Sequence, residues 1–274
     1  MKYHVINVKI DTKDKPSYFM GSTLRGTFGH ALKKVTCINP SYQCENCFAA
    51  ASCIYYDFYE KPNAFHRYRF EIALGSERFD FGLYLFDDAI ETLPYVLSAL
   101  HQALTQYGLS KNRYKFDNFT ISVNDQEVFN GKAFAPLNIQ PKQIPTPHFS
   151  PNIKIKLLTP LRIKRDNQLL AQTVELEDIL RSIYQKEQEF ATGTKAFKLD
   201  YTPSYQSLLK ALYYKPLLRK SGRQNKTIPV DGLMGELAVL GIDERSYRLL
   251  KLGEIIGVGK QTVMGLGRIE VEEI

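Results

Sequence analysis

The chain has 274 residues, of which 44% are hydrophobic and 24% charged, enough apolar material for one large domain or two small ones. Its 36 Lys and Arg against 29 Asp and Glu give a formal charge of +7, which favours a polyanionic partner over an acidic or membrane-embedded role. No apolar run approaches the ~20 residues of a membrane helix, and the N-terminal MKYHVINVKI has no signal-peptide apolar core, so a cytoplasmic protein is expected.

The first ten residues read as a strand, with Tyr3, Val5, Ile6, Val8 and Ile10 as β-formers. A helix follows, with Ser22 or Thr23 as N-cap and Leu24, Phe28, Ala31, Leu32 and Val35 on one face. Beyond a cysteine-bearing segment come strands at Phe65–Leu74 and Arg78–Leu85, a helix over Thr92–Tyr107 and a strand over Tyr114–Val123. That order, strand-helix-strand-strand-helix-strand, is the split βαβ or ferredoxin-like unit. Five prolines between Pro136 and Pro151 mark a linker.

The second half repeats the order. Strands are expected at Ile153–Ile163, Leu212–Leu218, Leu233–Leu240 and Val263–Val271, and helices at Val174–Phe190 and Asp243–Leu252. The expected fold is therefore α+β: two tandem ferredoxin-like domains, 1–135 and 152–274, joined by the 136–151 linker. A small Cys-rich metal-binding insertion at 37–53 completes the expectation.

The stretch Gly257-Val258-Gly259-Lys260-Gln261-Thr262-Val263-Met264-Gly265-Leu266-Gly267 holds four glycines in eleven residues. Glycines let a backbone bring its amides close to another surface, and Lys260 makes phosphate a sensible ligand. The same composition suits a bulged glycine-rich hairpin. It is neither a P-loop nor a dinucleotide fingerprint, since the following element is a strand.

The four cysteines are spaced Cys37-x6-Cys44-x2-Cys47-x5-Cys53. Four thiolates can close a tetrahedral structural zinc site, although the spacing is not that of a standard finger. An iron–sulfur cluster and plain reduced thiols are the alternatives. A basic stretch contains Lys215, Arg219, Lys220, Arg223 and Lys226, preceded by Tyr213 and Tyr214. It is either a grip for a nucleic-acid backbone or a charged hairpin without a ligand. Arg162, Lys164 and Arg165 form a weaker cluster at a strand end.

The run GVGKQTVMGLGRIEV resembles the glycine-rich signature of the CRISPR-associated RAMP superfamily. KPLLRKSGRQNKTIPVDGLMGELAVLG resembles the C-terminal domain of its precursor-CRISPR-RNA processing endoribonucleases. STLRGTFGHALKKVTC and QCENCFAAASCIYY are similar to a cysteine-bearing subgroup of those enzymes. The resemblance implies cleavage within the CRISPR repeat by a ribose 2′-OH, giving a 2′,3′-cyclic phosphate and a 5′-OH with no catalytic metal. The implied partners are precursor crRNA and, in some members, an effector complex. A non-catalytic subunit that binds guide RNA is the rival reading.

Such chemistry needs a base, an acid and positive charge near phosphorus. His30 is the foremost candidate, because its ordinary pKa of ~6.5 suits proton transfer. It falls opposite the apolar stripe, beside Lys33 and Lys34, with Gly26 one turn earlier leaving space for a substrate. A histidine on a basic helical face is also common without any role; the GHAL position of the family favours the catalytic one. Family members add a tyrosine and a lysine, for which Tyr18 and Lys34 are the nearest offers. His66, expected to contact RNA rather than pack in a core, and His101 stand in reserve. RNA contacts are expected from Arg25 and Lys33, from the basic stretch, and from Gly257, Gly259, Lys260, Gln261, Gly265 and Gly267.

Overall fold

The computed structural model describes residues 1–109, 112–221 and 226–274. The chain divides into two compact units, Met1–Gln143 and Ile144–Ile274, parting within the proline-rich segment.

The first unit runs β1 (Lys2–Ile10), α1 (Gly21–Thr36), β2 (Tyr68–Glu71), β3 (Phe81–Phe86), α2 (Leu93–Gln102), β4 (Phe119–Val123), β5 (Gln126–Phe129) and β6 (Lys142–Gln143). The antiparallel sheet is ordered β2-β3-β1-β4-β5, so β3 lies between the two strands that α1 connects, as a split βαβ unit requires. Alternation along β1 buries Ile6, Val8 and Ile10. Leu24, Phe28, Ala31 and Leu32 of α1 are buried, as are Val96, Leu97 and Leu100 of α2, and the two helices pack together.

Several boundaries differ from expectation. Helix α1 starts at Gly21, and Met20 stands at its N-cap without a side-chain bond, so neither Ser22 nor Thr23 caps it. Strand β2 is shorter than Phe65–Leu74 because Gly75, at φ 62°, turns the chain ahead of β3. Strand β5 was not anticipated. It returns from β4 through Asn124 and Asp125, both at positive φ. Strand β6 ties the front of the proline-rich segment to Lys2 and Tyr3 of β1.

The second unit runs β7 (Asn152–Leu161), β8 (Lys164–Arg165), β9 (Gln168–Leu169), α3 (Leu176–Thr192), β10 (Ser207–Lys215), β11 (Leu218–Ser221), β12 (Lys226–Pro229), β13 (Gly232–Leu240), α4 (Glu244–Ile256) and β14 (Ile269–Glu273). Its main sheet, β10-β13-β7-β14, repeats the order of the first unit. Ile153, Ile155 and Leu157 of β7 are buried together with Ile179, Leu180 and Ile183 of α3 and Leu250 of α4. The Asp178 carboxylate accepts the Glu175 amide at 3.1 Å at the start of α3, and Asp243 accepts the Ser246 amide at 2.9 Å at the start of α4.

The expected strand Leu212–Leu218 ends at Lys215, before Pro216, and a separate hairpin of β11 and β12 begins at Leu218. The last strand starts only at Ile269, since residues 262–264 form a single tight turn. No helix among the described residues is long and apolar enough to cross a membrane.

Candidate active site

Helix α1 presents His30 on its exposed face while the Leu24–Phe28–Leu32 stripe points inward. Gly26, one turn earlier, faces open space, with no atom within 4 Å of the position a Cβ would take. The ring of His30 meets Tyr107 edge to face, with centroids 4.5 Å apart at 86°. Tyr107 closes the last turn of the α2 region, which widens so that the Gly108 amide bonds the Ala103 carbonyl five residues back, at 2.9 Å.

Partial burial and then the positive charges of Lys34 and Arg113 hold the His30 imidazole below its ordinary pKa. At neutral pH it is therefore an unprotonated base. The Lys34 ammonium lies over the Tyr42 ring at 4.4 Å from its centroid.

The other residues expected here separate into groups. Tyr18 precedes α1 and packs on the turn at Gly75, whose amide bonds the Tyr18 carbonyl at 2.8 Å. The nine steps from Gly21 to His30 span about 13 Å of helix, so Tyr18 lies beyond the far end of α1 from His30 along the chain. Arg25 and Lys33 lie on the side of α1 that the segment after the cysteines covers. The Arg25 guanidinium stacks over Tyr59 at 4.4 Å and the Lys33 ammonium over Tyr55 at 4.9 Å. Half-buried Arg25 thus works within the fold.

The reserve histidines both make contacts within the fold. His66, expected to touch RNA, instead bonds the Asp57 carbonyl through Nδ1 at 3.0 Å and packs on Tyr68. His101 sits among Phe119, Phe129 and Phe134.

The four cysteines are free thiols. Asn39 stands between two of them, its backbone carbonyl accepting from Cys37 Sγ at 3.7 Å and its side-chain Nδ2 donating to Cys47 Sγ at 3.4 Å. Among the described residues no three His, Cys, Asp or Glu side chains are grouped to hold a metal ion. The thiols as arranged do not fit a four-thiolate zinc site.

In the second unit the amides of the four glycines of the loop, and those of Val258 and Lys260, are bonded within the protein. Gly257 bonds the Gly253 carbonyl at 2.9 Å, Val258 the Gly267 carbonyl at 2.8 Å, Lys260 the Arg162 carbonyl at 2.8 Å and Gly267 the Pro160 carbonyl at 3.1 Å. Gly259 bonds Ser182 Oγ at 2.8 Å, and Gly265 bonds the Thr262 carbonyl at 2.9 Å. The glycines serve close approach: a Cβ on Gly267, at φ 67°, would lie 1.7 Å from the Val258 carbonyl oxygen. What the loop offers outward is the exposed Lys260 and the half-buried Gln261, whose Oε1 is buried without a hydrogen-bond partner among the described residues.

Beneath the loop lies Lys186, only 2% exposed, whose Nζ donates to the Gly257 carbonyl at 2.8 Å. It was not singled out from the sequence. Its position continues the Ile179–Ile183 stripe of α3, and a lysine on a core face is the signal that could have found it.

The basic stretch forms the β11–β12 hairpin, with Lys226 exposed, Arg219 half-buried and Lys220 on β11. Lys215 ends β10, and Arg223 falls outside the described residues. Arg162 pairs with Asp231 at 2.6 Å, and the Tyr214 hydroxyl donates to the same carboxylate. Arg165 pairs with the buried Asp178. Both arginines of the weaker cluster are thereby tied into the fold, leaving Lys164 exposed.

Residues 2–140 match the family model AF_1859_N, an N-terminal domain, and residues 155–269 match the model of the CRISPR-associated endoribonuclease Cas6. An uncharacterized protein of Archaeoglobus fulgidus is 23% identical over 91% of this chain and 90% of its own. Among solved structures, a Cas6 product complex superposes with a TM-score of 0.56 at 14% identity, covering 100% of both chains. Cas6 of Thermus thermophilus superposes with a TM-score of 0.55 at 14% identity, over 99% of this chain and 98% of that one.

Proposed function

We propose that the chain, whose residues 155–269 match the model of the CRISPR-associated endoribonuclease Cas6, is an endoribonuclease of the CRISPR-associated RAMP superfamily that cuts precursor CRISPR RNA within the repeat. The observation that carries this reading is His30: exposed, on a basic face, unprotonated at neutral pH and with open space at Gly26 beside it.

His30 takes the proton of a ribose 2′-OH as that oxygen attacks the adjacent phosphorus. The O2′–P bond forms, the P–O5′ bond breaks and O5′ takes a proton from solvent. The products are a 2′,3′-cyclic phosphate and a 5′-OH end. Lys34 adds positive charge beside the reacting phosphate. Lys260, Gln261, Lys226 and the rest of the β11–β12 hairpin hold the RNA through backbone contacts and charge. The RNA is met in the cytoplasm, the location proposed here. A structural zinc on Cys37, Cys44, Cys47 and Cys53 would require Asn39 to leave the gap between Cys37 and Cys47, and no step of the cutting involves it.

The test is incubation of the purified protein with a repeat RNA in EDTA between pH 6 and 8. Cutting that disappears when the sugar at the cleavage site is 2′-deoxy supports the reading. Binding without cutting at every pH in that range removes it and leaves a guide-RNA-binding subunit.

A further inference from the structure

We infer that Tyr107 and Arg113 complete the active site, Tyr107 positioning the His30 imidazole and Arg113 supplying positive charge to the scissile phosphate. The roles presuppose the nuclease reading above and add two residues from outside α1.

The two residues reach His30 through a turn built to bring them there. Gly108 follows Tyr107 at φ 73°, and a Cβ on it would lie 2.3 Å from the Arg113 carbonyl oxygen, so the chain doubles back tightly over it. Leu109 and Tyr114 exchange two backbone hydrogen bonds of 2.8 Å, closing the turn. Thr27, one turn before His30 on α1, donates its hydroxyl to the Gly108 carbonyl at 3.3 Å. The same helix therefore carries the histidine and anchors the turn that faces it.

Tyr107 fixes the plane of the imidazole by edge-to-face contact at 4.5 Å. An exposed histidine otherwise samples several ring orientations, and only some aim a nitrogen at a bound 2′-OH. Arg113, at φ 51°, packs its backbone carbonyl on Gly108, the residue that Thr27 of α1 anchors, and together with burial and Lys34 its positive charge lowers the His30 pKa. Among the described residues no carboxylate pairs with Arg113, so its guanidinium keeps its donors for a ligand. Lys34, the other cation acting on His30, already rests over the Tyr42 ring. A guanidinium also matches two phosphate oxygens at once, which an ammonium does not. Arg113 donates hydrogen bonds to the non-bridging oxygens as charge builds on them and loses no proton itself.

The test uses the full chain, a repeat RNA for single-turnover cleavage, its 2′-deoxy form for binding, and melting curves of each variant. Arg113→Ala should slow cleavage by about 100-fold or more while changing affinity for the 2′-deoxy RNA far less. It should also move the acid limb of the rate profile to higher pH, because one of the charges that disfavour the imidazolium is gone. Arg113→Lys should recover part of the rate. Tyr107→Ala should slow cleavage about tenfold or more, and Tyr107→Phe, which keeps the ring, should recover most of that loss. Wild-type-like cleavage by both alanine variants overturns these roles while leaving the nuclease reading intact. A wild-type protein that never cuts overturns both together.

Discussion

The ammonium of Lys186 donates to the carbonyl of Gly257 at 2.8 Å, joining the middle of α3 to the first residue of the glycine-rich loop. A charge this deeply buried is retained only where its donors find partners, and here it also reaches Thr262 Oγ1 at 3.5 Å. Lys186→Met keeps the volume and removes the donor. It should lower stability by roughly 1–3 kcal/mol, read as a fall in denaturation midpoint, and weaken repeat-RNA binding through the loosened loop.

Gly267→Ala and Lys260→Ala separate the loop's framework from its ligand face. The first places a Cβ against the Val258 carbonyl at a backbone conformation that alanine disfavours, and should cost more than about 1 kcal/mol of stability. The second removes an exposed side chain and should leave stability within roughly 0.5 kcal/mol. It should nevertheless weaken RNA binding and reduce the slope of affinity against salt by about one. An unchanged salt slope would exclude Lys260 from phosphate contact.

His30→Ala should reduce cleavage by roughly 10²- to 10⁴-fold, with affinity for 2′-deoxy repeat RNA retained. The wild-type rate should rise with pH through the His30 pKa, which burial, Lys34 and Arg113 hold below 6.5, and level off above it. A limb centred above pH 7 would point to another base.

Acid should destabilise the first unit through histidines outside the active site. His4 is 4% exposed, its Nδ1 lies 2.9 Å from Asn124 Nδ2, and burial holds its pKa below the ordinary value. Its unfolded pKa is ~6.5, so the folded state binds the proton less readily than the unfolded state. The stabilisation is complete above that pH and is lost as pH falls through the folded value. His66 and His101 shift in the same direction, each chiefly by burial. The melting midpoint should therefore drop between about pH 7 and 5, and His4→Gln should flatten part of that slope.

Chelation should leave the cleavage rate unchanged, because the proposed step uses only His30 and fixed positive charge. Metal analysis of the purified protein answers the separate question of the thiols. One equivalent of zinc, with a melting midpoint that falls in EDTA, would mean that Asn39 yields its place between Cys37 and Cys47.

Much of the fold is legible in the sequence because local pattern and tertiary need agree. β7 alternates in burial from Asn152 to Leu158, and α1 and α3 keep their apolar residues on one face. β5 went unread although Asn124-Asp125 is a turn signal, because four residues carry too little alternation to stand out. Helical spacing places His30 on the exposed basic face of α1, and the resemblance at GHAL, not the spacing, singles it out. Tyr107 could not be found from the sequence, since it is 77 residues away in the chain and meets His30 only beside a turn seated on α1; nor could Arg113, 83 residues away on the far side of that turn. The partners of the glycine amides in the loop were hidden for a related reason: composition shows that a backbone can bend, not which oxygens it will meet.

The internal pairing of those amides also bears on how RNA is exchanged. A glycine-rich loop that waited for its ligand would have to give up backbone freedom on every encounter, weakening the complex by that entropy. A loop already fastened at Pro160, Arg162, Ser182 and Lys186 would meet the RNA proposed above as a fixed relief. Association would then need no refolding step, and discrimination between RNAs would pass to the few side chains that stand above the relief.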